Sequence, residues 1–403
     1  MRVLWLTPEL PYFPGGGGAA TRQFHLLRRL VELGHDAVVV APVHESQRHG
    51  EELLRAAGVD LRAARRPPCR YAEVARALAS RPGLVGAALR KPLYAWQVDV
   101  FWTALRPLAE QALAEEPFDV LHVNSDWAAD WARSLTTSAP RALTLENFTP
   151  AYYATRARAA DSALLQLETR RWTAFDRRHL GDHDLVVTVS WDEPADVAKL
   201  TKARTVAVPS GTDTTKLDLP PPPPDPDQPT LLFTGQFSWA PNAEGLLWLL
   251  REVWPRIRTA VPEARLLVVG GNPPEEARAM AGDGVEITGW VEAIEPYFAS
   301  ADLVLAPTLS GAGVRLKVLD GLASRRAVVS TSLGAHGLRL RHDHDLVIAD
   351  GSERFAAETV RLLRDPETRL RIGAQGRRTA EEQYDWRRLG DRLAEEFAGL
   401  FTR

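Results

Sequence analysis

The chain has 403 residues, 45% of them hydrophobic and 25% charged, a composition that excludes a disordered chain, a fibre and a coiled coil. The 49 basic residues are matched by 52 acidic ones, so there is no global basic excess of the kind that nucleic-acid-binding proteins carry. The single cysteine, Cys69, excludes an intrachain disulfide and a zinc site built from cysteines. The apolar stretch at the N-terminus is too short for a signal peptide, and no apolar run reaches the length of a membrane span. These features predict a cytosolic, enzyme-sized protein of two domains.

In the first half of the chain, short apolar runs alternate with amphipathic segments of helical length. Runs that are apolar throughout are typical of strands that are covered on both faces of a parallel sheet. The helical pattern over 22–33 ends at Gly34, a residue suited to a helix C-terminus. This alternation predicts βαβ units. The predicted strands are Arg2–Thr7, Asp36–Pro42, Asp119–Val123, Arg141–Leu145, Asp184–Ser190 and Arg204–Pro209.

A proline-rich segment, 214–229, interrupts this pattern and contains five consecutive prolines. Because proline fixes φ and lacks an N–H donor, the segment predicts a stiff linker, with a surface loop as the alternative. The same alternation then resumes. The predicted strands are Thr230–Thr234, Arg265–Gly270, Val285–Trp290, Asp302–Pro307, Ala327–Thr331 and Leu346–Ile348. We therefore expect two α/β domains, 1–213 and 230–385, whose parallel sheets face an interdomain cleft, and an amphipathic C-terminal helix within 386–403.

Four glycines, 15–18, lie between the first predicted strand and the following helix. Without Cβ atoms, Gly16, Gly17 and Gly18 allow backbone amides to approach a ligand, and a helix N-terminus favours a phosphate or a carboxylate. The run is neither a Gly-x-Gly-x-x-Gly fingerprint in its usual context nor a Walker loop, so a flexible loop is the alternative interpretation.

The segment 310–338 carries a more specific pattern than the glycine run at 15–18. A predicted strand leads into a small-residue loop, 310–313, and then into a helix that starts with Arg315 and Lys317. Cations in the first turn oppose the helix dipole, and a bound pyrophosphate would explain them. Asp320 is placed to accept hydrogen bonds from ribose hydroxyls. An ordinary solvated helix is the alternative.

Weaker candidates follow two strands of the first half. His122 lies near the end of a predicted strand, either facing the cleft or as a structural histidine, and Glu146 follows the next strand. The acidic and histidine runs at 182–184 and 342–345 resemble metal ligands but predict solvated turns, because adjacent side chains diverge. We therefore predict no metal site.

Several motifs occur in a particular order along nearly the whole chain: MRVLWLTPELPYFPGGGG, FDVLHVN, DLVVTVS, VAVPSGTD, LLFTGQFSWAPNAEG, VEITGWVEAIEPYFASADLVLAP and the segment 310–338. Together they resemble the retaining glycosyltransferases of family 4, which have the GT-B fold of two Rossmann-like domains. The resemblance implies a nucleoside diphosphate sugar as donor, retention of anomeric configuration, and no required metal or other cofactor. It also implies that the helix in 386–403 crosses back to the N-terminal domain.

The resemblance also places residues in roles. It implies that the glycine loop lies beside the donor phosphate and the acceptor, that Trp290 and Val291 flank the base, and that Asp320 binds the ribose. The predicted nucleotide-binding residues are Gly16, Gly17, Gly18, Gly235, Trp290, Val291, Gly311, Gly313, Arg315, Lys317 and Asp320. The predicted catalytic residues are His122, Glu146, Arg315 and Lys317.

The chain departs from the family pattern at four positions. Ala312 stands where the first glutamate of the Glu-x7-Glu motif is usual, and Glu146 stands where a histidine is common. Gln236 and Asn242 lie near the usual positions of an arginine and a lysine. The two cations of the helix after 310–313 therefore become more necessary, since two phosphate charges need neutralising.

The resemblance therefore implies a retaining hexosyltransferase that moves a sugar to an acceptor hydroxyl of a saccharide, a lipid-linked or a small-molecule acceptor. The alternatives are a sugar-nucleotide 2-epimerase of the same fold and a non-catalytic relative that binds sugar nucleotides. No nucleic-acid partner is expected.

A basic stretch at 62–91 contains eight basic residues and one acid, Glu73. The basic residues are Arg62, Arg65, Arg66, Arg70, Arg76, Arg81, Arg90 and Lys91. This stretch is either a solvated cationic face or a patch for an anionic acceptor, a lipid phosphate at the inner face of the membrane or a charged glycan. The first alternative leaves the protein cytoplasmic, and the second adds peripheral contact with an anionic membrane.

Overall fold

The computed structural model describes residues 1–65, 91–101, 104–221, 228–311 and 313–401. They form two compact units: unit 1 is Met1–Pro209 with Leu389–Arg403, and unit 2 is Ser210–Arg388. Each unit is built on a parallel sheet with helices, so the predicted α/β architecture is confirmed. Residues 222–227 of the proline-rich segment, Cys69 and Ala312 lie outside the described residues.

The sheet of unit 1 is parallel throughout its described strands. Its strands are β1 (Arg2–Leu6), β2 (Asp36–Val43), β3 (Asp60–Arg65), β4 (Val120–Asn124), β5 (Arg141–Leu145), β6 (Leu185–Thr188) and β7 (Arg204–Ala207). They lie in the order β3-β2-β1-β4-β5-β6-β7, so the direction of winding reverses between β1 and β4. Strands β1 and β4 are almost wholly buried, as their continuous apolar sequences predict.

The structure differs from the prediction at the edge of this sheet, because β3 is not among the predicted strands. The strand has three charged residues among its six, a composition that suits an exposed edge and carries little apolar signal. Arg62, Arg65 and Lys91, the described members of the basic stretch, each form ion pairs with carboxylates. The other five basic residues lie outside the described residues. Membrane contact stays a prediction, and these ion pairs weaken it.

The helices of unit 1 flank its sheet. They are α1 (Gly18–Glu32), α2 (Arg48–Ala56), α3 (Leu93–Phe101), α4 (Leu105–Glu115), α5 (Ala129–Ala132), α6 (Thr149–Ala160), α7 (Ala163–His179) and α8 (Glu193–Val197). Helix α1 begins four residues before the predicted start, because the glycine loop runs directly into it. It ends as predicted before Gly34, whose φ of 81° is a left-handed value that favours glycine.

The sheet of unit 2 is also parallel. Its strands are β8 (Thr230–Thr234), β9 (Arg265–Val269), β10 (Val285–Gly289), β11 (Leu303–Ala306), β12 (Ala327–Ser330) and β13 (Val347–Ile348). Their order is β10-β9-β8-β11-β12-β13, so the winding reverses between β8 and β11. Each lies within one or two residues of a predicted strand.

The helices of unit 2 are α9 (Ala240–Trp248), α10 (Trp254–Ala260), α11 (Glu275–Arg278), α12 (Glu295–Ser300), α13 (Leu316–Ala323), α14 (Ser332–Ala335), α15 (Ser352–Arg364) and α16 (Pro366–Gln383). A π-helical turn, Leu249–Val253, joins α9 to α10 just before Pro255. Proline lacks the N–H that a regular helix needs there, which accounts for the irregular turn.

The last helix, α17 (Trp386–Ala398), starts in unit 2 and continues in unit 1. Leu389, Leu393 and Phe397 are buried in unit 1. Gly390 allows the close approach of Arg29, because a Cβ at that position would lie 2.4 Å from the arginine Cγ. Every helix in the described part of the chain is too short or too polar to cross a bilayer.

Candidate functional site

The loops at the carboxyl ends of β8, β9 and β11 converge within unit 2. Strands β8 and β11 are neighbours at the point where the winding reverses, which is where sheets of this kind bind ligands. Gly270, with a φ of 145°, brings the loop after β9 against the loop after β8, since a Cβ there would lie 1.8 Å from the carbonyl oxygen of Gly235. The predicted Gly235 thus lies in a tight backbone crossing that a side chain at Gly270 would break.

Lys317 is buried in the first turn of α13, and its amine is turned toward this crossing. Its Nζ donates to Asn242 Oδ1 over 2.7 Å and lies 4.4 Å from the ring centroid of Phe233. A Cβ on Gly235 would lie 3.4 Å from Nζ, so the bare backbone of the glycine borders the amine. In the described part of the chain no carboxylate forms an ion pair with Lys317. Burial, and secondly the charge of Arg315, lower the pKa of the Lys317 amine to about 7.

Arg315 is the residue just before α13 and holds the small-residue loop in place. Its Nη1 donates to the carbonyl oxygen of Gly313 over 2.6 Å, and its Nη2 donates to that of Ser310 over 3.3 Å. Gly311 and Gly313 have left-handed φ values of 93° and 84°. Burial lowers the pKa of the Arg315 guanidinium to about 10. The structure therefore brings both predicted cations together beside glycine-rich backbone, the chemistry that an anionic diphosphate needs.

Asp320 lies one turn further along α13. Its Oδ1 accepts a hydrogen bond from Thr212 Oγ1 over 2.7 Å. Burial, with a smaller contribution from Asp213, raises the pKa of the Asp320 carboxyl to about 7, although the Thr212 hydrogen bond opposes this rise. One carboxylate oxygen is thus engaged within unit 2, and ribose binding by Asp320 stays a prediction.

Two exposed tryptophans stand at the same edge of the sheet. Trp290 follows β10 and is 66% exposed, next to Val291. Trp239 precedes α9 and is 52% exposed. Exposed indole rings offer stacking faces to a planar base. Trp239 was not among the predicted residues, and its place in the motif FSWAPN is the sequence signal that could have identified it.

The glycine loop of unit 1 contains one glycine that is structurally required and one that borders open space. A Cβ on Gly16 would lie 2.4 Å from the carbonyl oxygen of Tyr12, whereas a Cβ on Gly17 would meet no atom within 4 Å. Gly17 precedes α1 and Gly18 is its first residue. Free helix N–H groups and open space therefore coincide here, as the phosphate-binding prediction requires.

His122 lies inside unit 1 and has no exposed surface. Its ring centroid is 3.8 Å from that of Trp5 and 5.6 Å from that of Phe397. Its Nε2 is 2.8 Å from Thr144 Oγ1. Burial, with smaller effects of nearby cationic groups, holds the pKa of the His122 ring well below its usual range. This environment favours the structural interpretation of His122, because a ring without exposed surface cannot contact a substrate.

Glu146 follows β5, and its side chain is 12% exposed. Its Oε1 lies 3.4 Å from Nη1 of Arg22, which is fully buried and whose Nη2 donates to the carbonyl oxygen of Val208 over 2.8 Å. Burial raises the pKa of Glu146, while Arg22 opposes the rise. Arg22 belongs to α1, and the helical pattern of the sequence does not distinguish it from an arginine on the surface.

Two further carboxyl groups interact with Glu146 and were not among the predicted residues. Burial raises the pKa of Glu9 and that of Glu193 to about 7 each, and repulsion from Glu146 adds to both. We call Glu9, Glu146 and Glu193, with Arg22, the carboxylate cluster. The cluster lies where β1, β5 and β6 end at the carboxyl edge of the sheet, within reach of solvent.

The match to a known family lies within unit 2. Residues 228–365 match the model of the family described as "Glycosyl transferases group 1". An uncharacterized 44.6 kDa protein in the cps region of Klebsiella pneumoniae is 27% identical over 175 residues, 41% of this chain and 45% of that protein.

Two mycobacterial relatives extend this comparison. A phosphatidyl-myo-inositol mannosyltransferase of Mycolicibacterium smegmatis is 30% identical over 166 residues, 39% of this chain and 42% of that protein. A GDP-mannose-dependent alpha-(1-6)-phosphatidylinositol monomannoside mannosyltransferase of Mycobacterium tuberculosis is 29% identical over 161 residues, 36% of this chain and 42% of that protein. The chain spans less than half the length of each curated relative named here.

Solved structures match over the whole chain. Sucrose-phosphate synthase of Thermosynechococcus elongatus has a TM-score of 0.72 at 17% identity, with 100% of both chains covered. The Anabaena protein Alr3699/HepE, in complex with UDP, has a TM-score of 0.68 at 14% identity, with 99% of this chain and 100% of that chain covered. These similarities show the fold, which is GT-B, as the resemblance implied.

Proposed function

We propose that the protein is a retaining glycosyltransferase of family 4 that moves a hexose from a nucleoside diphosphate sugar to an acceptor hydroxyl. The observation that carries the proposal is the pair Lys317 and Arg315, held against glycine backbone at the point where the winding of the unit 2 sheet reverses. The match of residues 228–365 to group 1 glycosyltransferases supports it. The Mycobacterium tuberculosis relative, which is named as GDP-mannose-dependent, and the Anabaena protein in complex with UDP support a nucleotide-sugar donor.

In this reaction the bond between the anomeric carbon and the diphosphate oxygen breaks, and the acceptor oxygen forms a bond to the same carbon on the same face. Negative charge develops on the departing diphosphate. Lys317, Arg315 and the backbone amides of the glycine-rich loops would neutralise that charge, which is the largest contribution a site of this kind can make to the rate. The acceptor proton passes to the departing phosphate, as in the resembling family. We assign the acceptor to unit 1, where Glu146 would bind a sugar hydroxyl.

The proposal is tested by incubating the full chain with a panel of nucleoside diphosphate sugars, with and without acceptors. Free nucleoside diphosphate, the sugar product and any epimerised donor are measured in the same samples. Acceptor-dependent release of diphosphate with a new glycoside supports transfer. A donor changed at C2 would instead identify an epimerase, and binding without turnover would identify a non-catalytic relative.

We expect side chains of the protein, and not a metal ion, to neutralise the charge of the diphosphate. The predicted site supplies two cations, and the described residues contain no group of three His, Cys, Asp or Glu side chains that could hold a metal. We expect turnover to continue in EDTA at its rate in untreated buffer. Loss of turnover in EDTA and its recovery with manganese or magnesium would contradict this expectation.

Donor binding should also depend on pH, because the Lys317 amine has a pKa of about 7 in the free protein. A bound diphosphate favours the charged amine and raises that pKa, so binding takes up a proton. We therefore expect the affinity for a nucleoside diphosphate to be highest below pH 7 and to fall as pH rises from 7 to 9. Calorimetric titrations with a nucleoside diphosphate across this pH range measure the affinity.

The matched variant is Lys317→Arg, whose guanidinium stays charged throughout the range. Binding by this variant should lose most of its dependence on pH. An equal pH dependence in both proteins would assign the effect to another group.

A further inference from the structure

Asn242, in the first turn of α9, lies between the loop after β8 and the first turn of α13. Its Nδ2 donates to the carbonyl oxygen of Gln236 over 2.9 Å, and its Oδ1 accepts from Lys317 Nζ over 2.7 Å. The amide therefore uses both of its ends, and it connects the buried amine of α13 to the loop after β8.

These two hydrogen bonds fix the orientation of the amide. In the reversed orientation the NH2 group of Asn242 would face the amine of Lys317, and its oxygen would face the carbonyl oxygen of Gln236. Both contacts would then be repulsive, because a charged lysine amine only donates hydrogen bonds and a carbonyl oxygen only accepts them. The oxygen of Asn242 is therefore the atom that faces the amine.

Further contacts restrict the same amine. Nζ of Lys317 lies 4.4 Å from the ring centroid of Phe233 in β8. A Cβ on Gly235 would lie 3.1 Å from Asn242 Nδ2 and 3.4 Å from Nζ, so bare backbone borders both members of the pair. A lysine side chain has several rotatable bonds, and holding it in place before a ligand arrives lowers the entropy that binding costs.

The hydrogen-bond partner of the amine is neutral. An amide oxygen accepts one of the three N–H donors of the amine and leaves its charge uncompensated, whereas a carboxylate would form an ion pair with it. Among the described residues no carboxylate forms an ion pair with Lys317, and Arg315 is the charged group that acts on its amine. The charge of the amine is therefore available to an anionic ligand.

We propose that Asn242 is a positioning residue of the diphosphate site. Its amide holds the Lys317 amine beside the backbone of Gly235 and, because it is neutral, leaves the positive charge of the amine to the phosphate oxygens of a nucleoside diphosphate. This inference rests on the proposed function, since it names a residue that acts on the donor through Lys317. Asn242 stands near the position where the resembling family carries a lysine, so here α13 supplies an amine at the start of α9.

Asn242→Asp is the most informative variant, because the carboxylate has the shape of the amide and adds a negative charge beside the amine. The new ion pair should keep Lys317 charged but compensate its charge, so a nucleoside diphosphate should bind about tenfold more weakly at pH 6. The affinity should also stay nearly constant from pH 7 to 9, where that of the parent protein falls. Calorimetric titrations with UDP and with GDP from pH 6 to 9 measure both effects. A variant with the affinity and the pH profile of the parent would overturn the inference.

Asn242→Ala removes the acceptor without adding a charge. The amine is then less restricted, so the affinity at pH 6 should fall about three- to tenfold, while the decrease between pH 7 and 9 persists. Asn272→Asp is the matched control, because Asn272 is exposed and lies in the loop after β9 of the same unit. A carboxylate at this position should leave the affinity and its pH profile as they are in the parent protein.

Thermal unfolding of every variant separates positioning from a purely structural role. If Asn242 only stabilises the fold, both variants unfold at a lower temperature but bind nucleotide as the parent does, and the inference is wrong. If Asn242→Ala does not fold, the pH profile of Asn242→Asp decides the question. Absence of nucleotide binding in the parent protein would refute the proposed function, whereas binding that is intact in the parent and unchanged in both variants refutes this inference alone.

Discussion

Replacing Lys317 by alanine should weaken nucleoside diphosphate binding about 10- to 100-fold, or roughly 1.5–3 kcal/mol for the loss of a charge-assisted contact. The effect should be large because the amine is buried and is directed at Asn242, Phe233 and the backbone of Gly235 rather than at a carboxylate. Its charge is thus available for the ligand. Calorimetric titration with UDP and with GDP measures the change.

Lys199→Ala is the control for this prediction, since Lys199 is exposed and pairs with Asp196 on the surface of unit 1. Its nucleotide affinity should equal that of the parent protein. If Lys317→Ala also binds with unchanged affinity, while its thermal unfolding matches the parent, the assignment of the diphosphate site to α13 is wrong.

The second large effect concerns a pair of buried carboxyl groups in unit 1, and it is an effect on stability. Asp126 and Asp176 are both buried, and neither oxygen of Asp176 has a hydrogen-bond partner. Burial raises the pKa of Asp126 to about 7, and burial and repulsion from Asp126 raise that of Asp176 well above its usual range. The folded protein therefore keeps protons that the unfolded chain has released.

The sign of the pH effect follows from these pKa values. The unfolded carboxyl groups lose their protons near pH 4, so the stability of the folded state falls as pH rises from about 4 through 7. Asp176→Asn removes one ionisable group and adds an amide donor beside Asp126. We expect this variant to be more stable than the parent at pH 8, by about 1.4 kcal/mol for each unit by which folding raises the pKa, and nearly equal to it at pH 4.

Chemical denaturation at both pH values measures this difference. Asp196→Asn, at an exposed position, is the control and should change the stability little at either pH. An Asp176→Asn protein that is less stable than the parent at pH 8 would show that the carboxylate has a partner which the amide cannot replace.

The sheets could be predicted from the sequence because their strands are buried on both faces and read as unbroken apolar runs. β3 is the exception, since an edge strand with three charged residues among its six carries no such signal. Arg315 and Lys317 could be identified locally, because two cations at the start of a helix are unfavourable without a ligand.

The partners of these residues could not be identified in the same way. Lys317 and Asn242 are 75 positions apart in sequence, and Arg22 and Glu146 are 124 positions apart. Nothing in the local sequence relates such pairs, because they meet only where parallel strands end at one edge of a sheet. For the same reason the sequence alone does not distinguish Glu9 from other acidic residues in loops, or Glu193 from other acidic residues at the start of a helix.

The path of the chain has a consequence for protein engineering. Because α17 returns to unit 1 and buries Leu393 and Phe397 there, unit 2 is in effect a domain inserted into the sequence of unit 1. A truncation at Pro209 would produce a fragment that lacks part of its own apolar interior. A chimera that exchanges donor specificity should therefore transplant 210–388 as a cassette with two junctions and keep the host's own C-terminal segment.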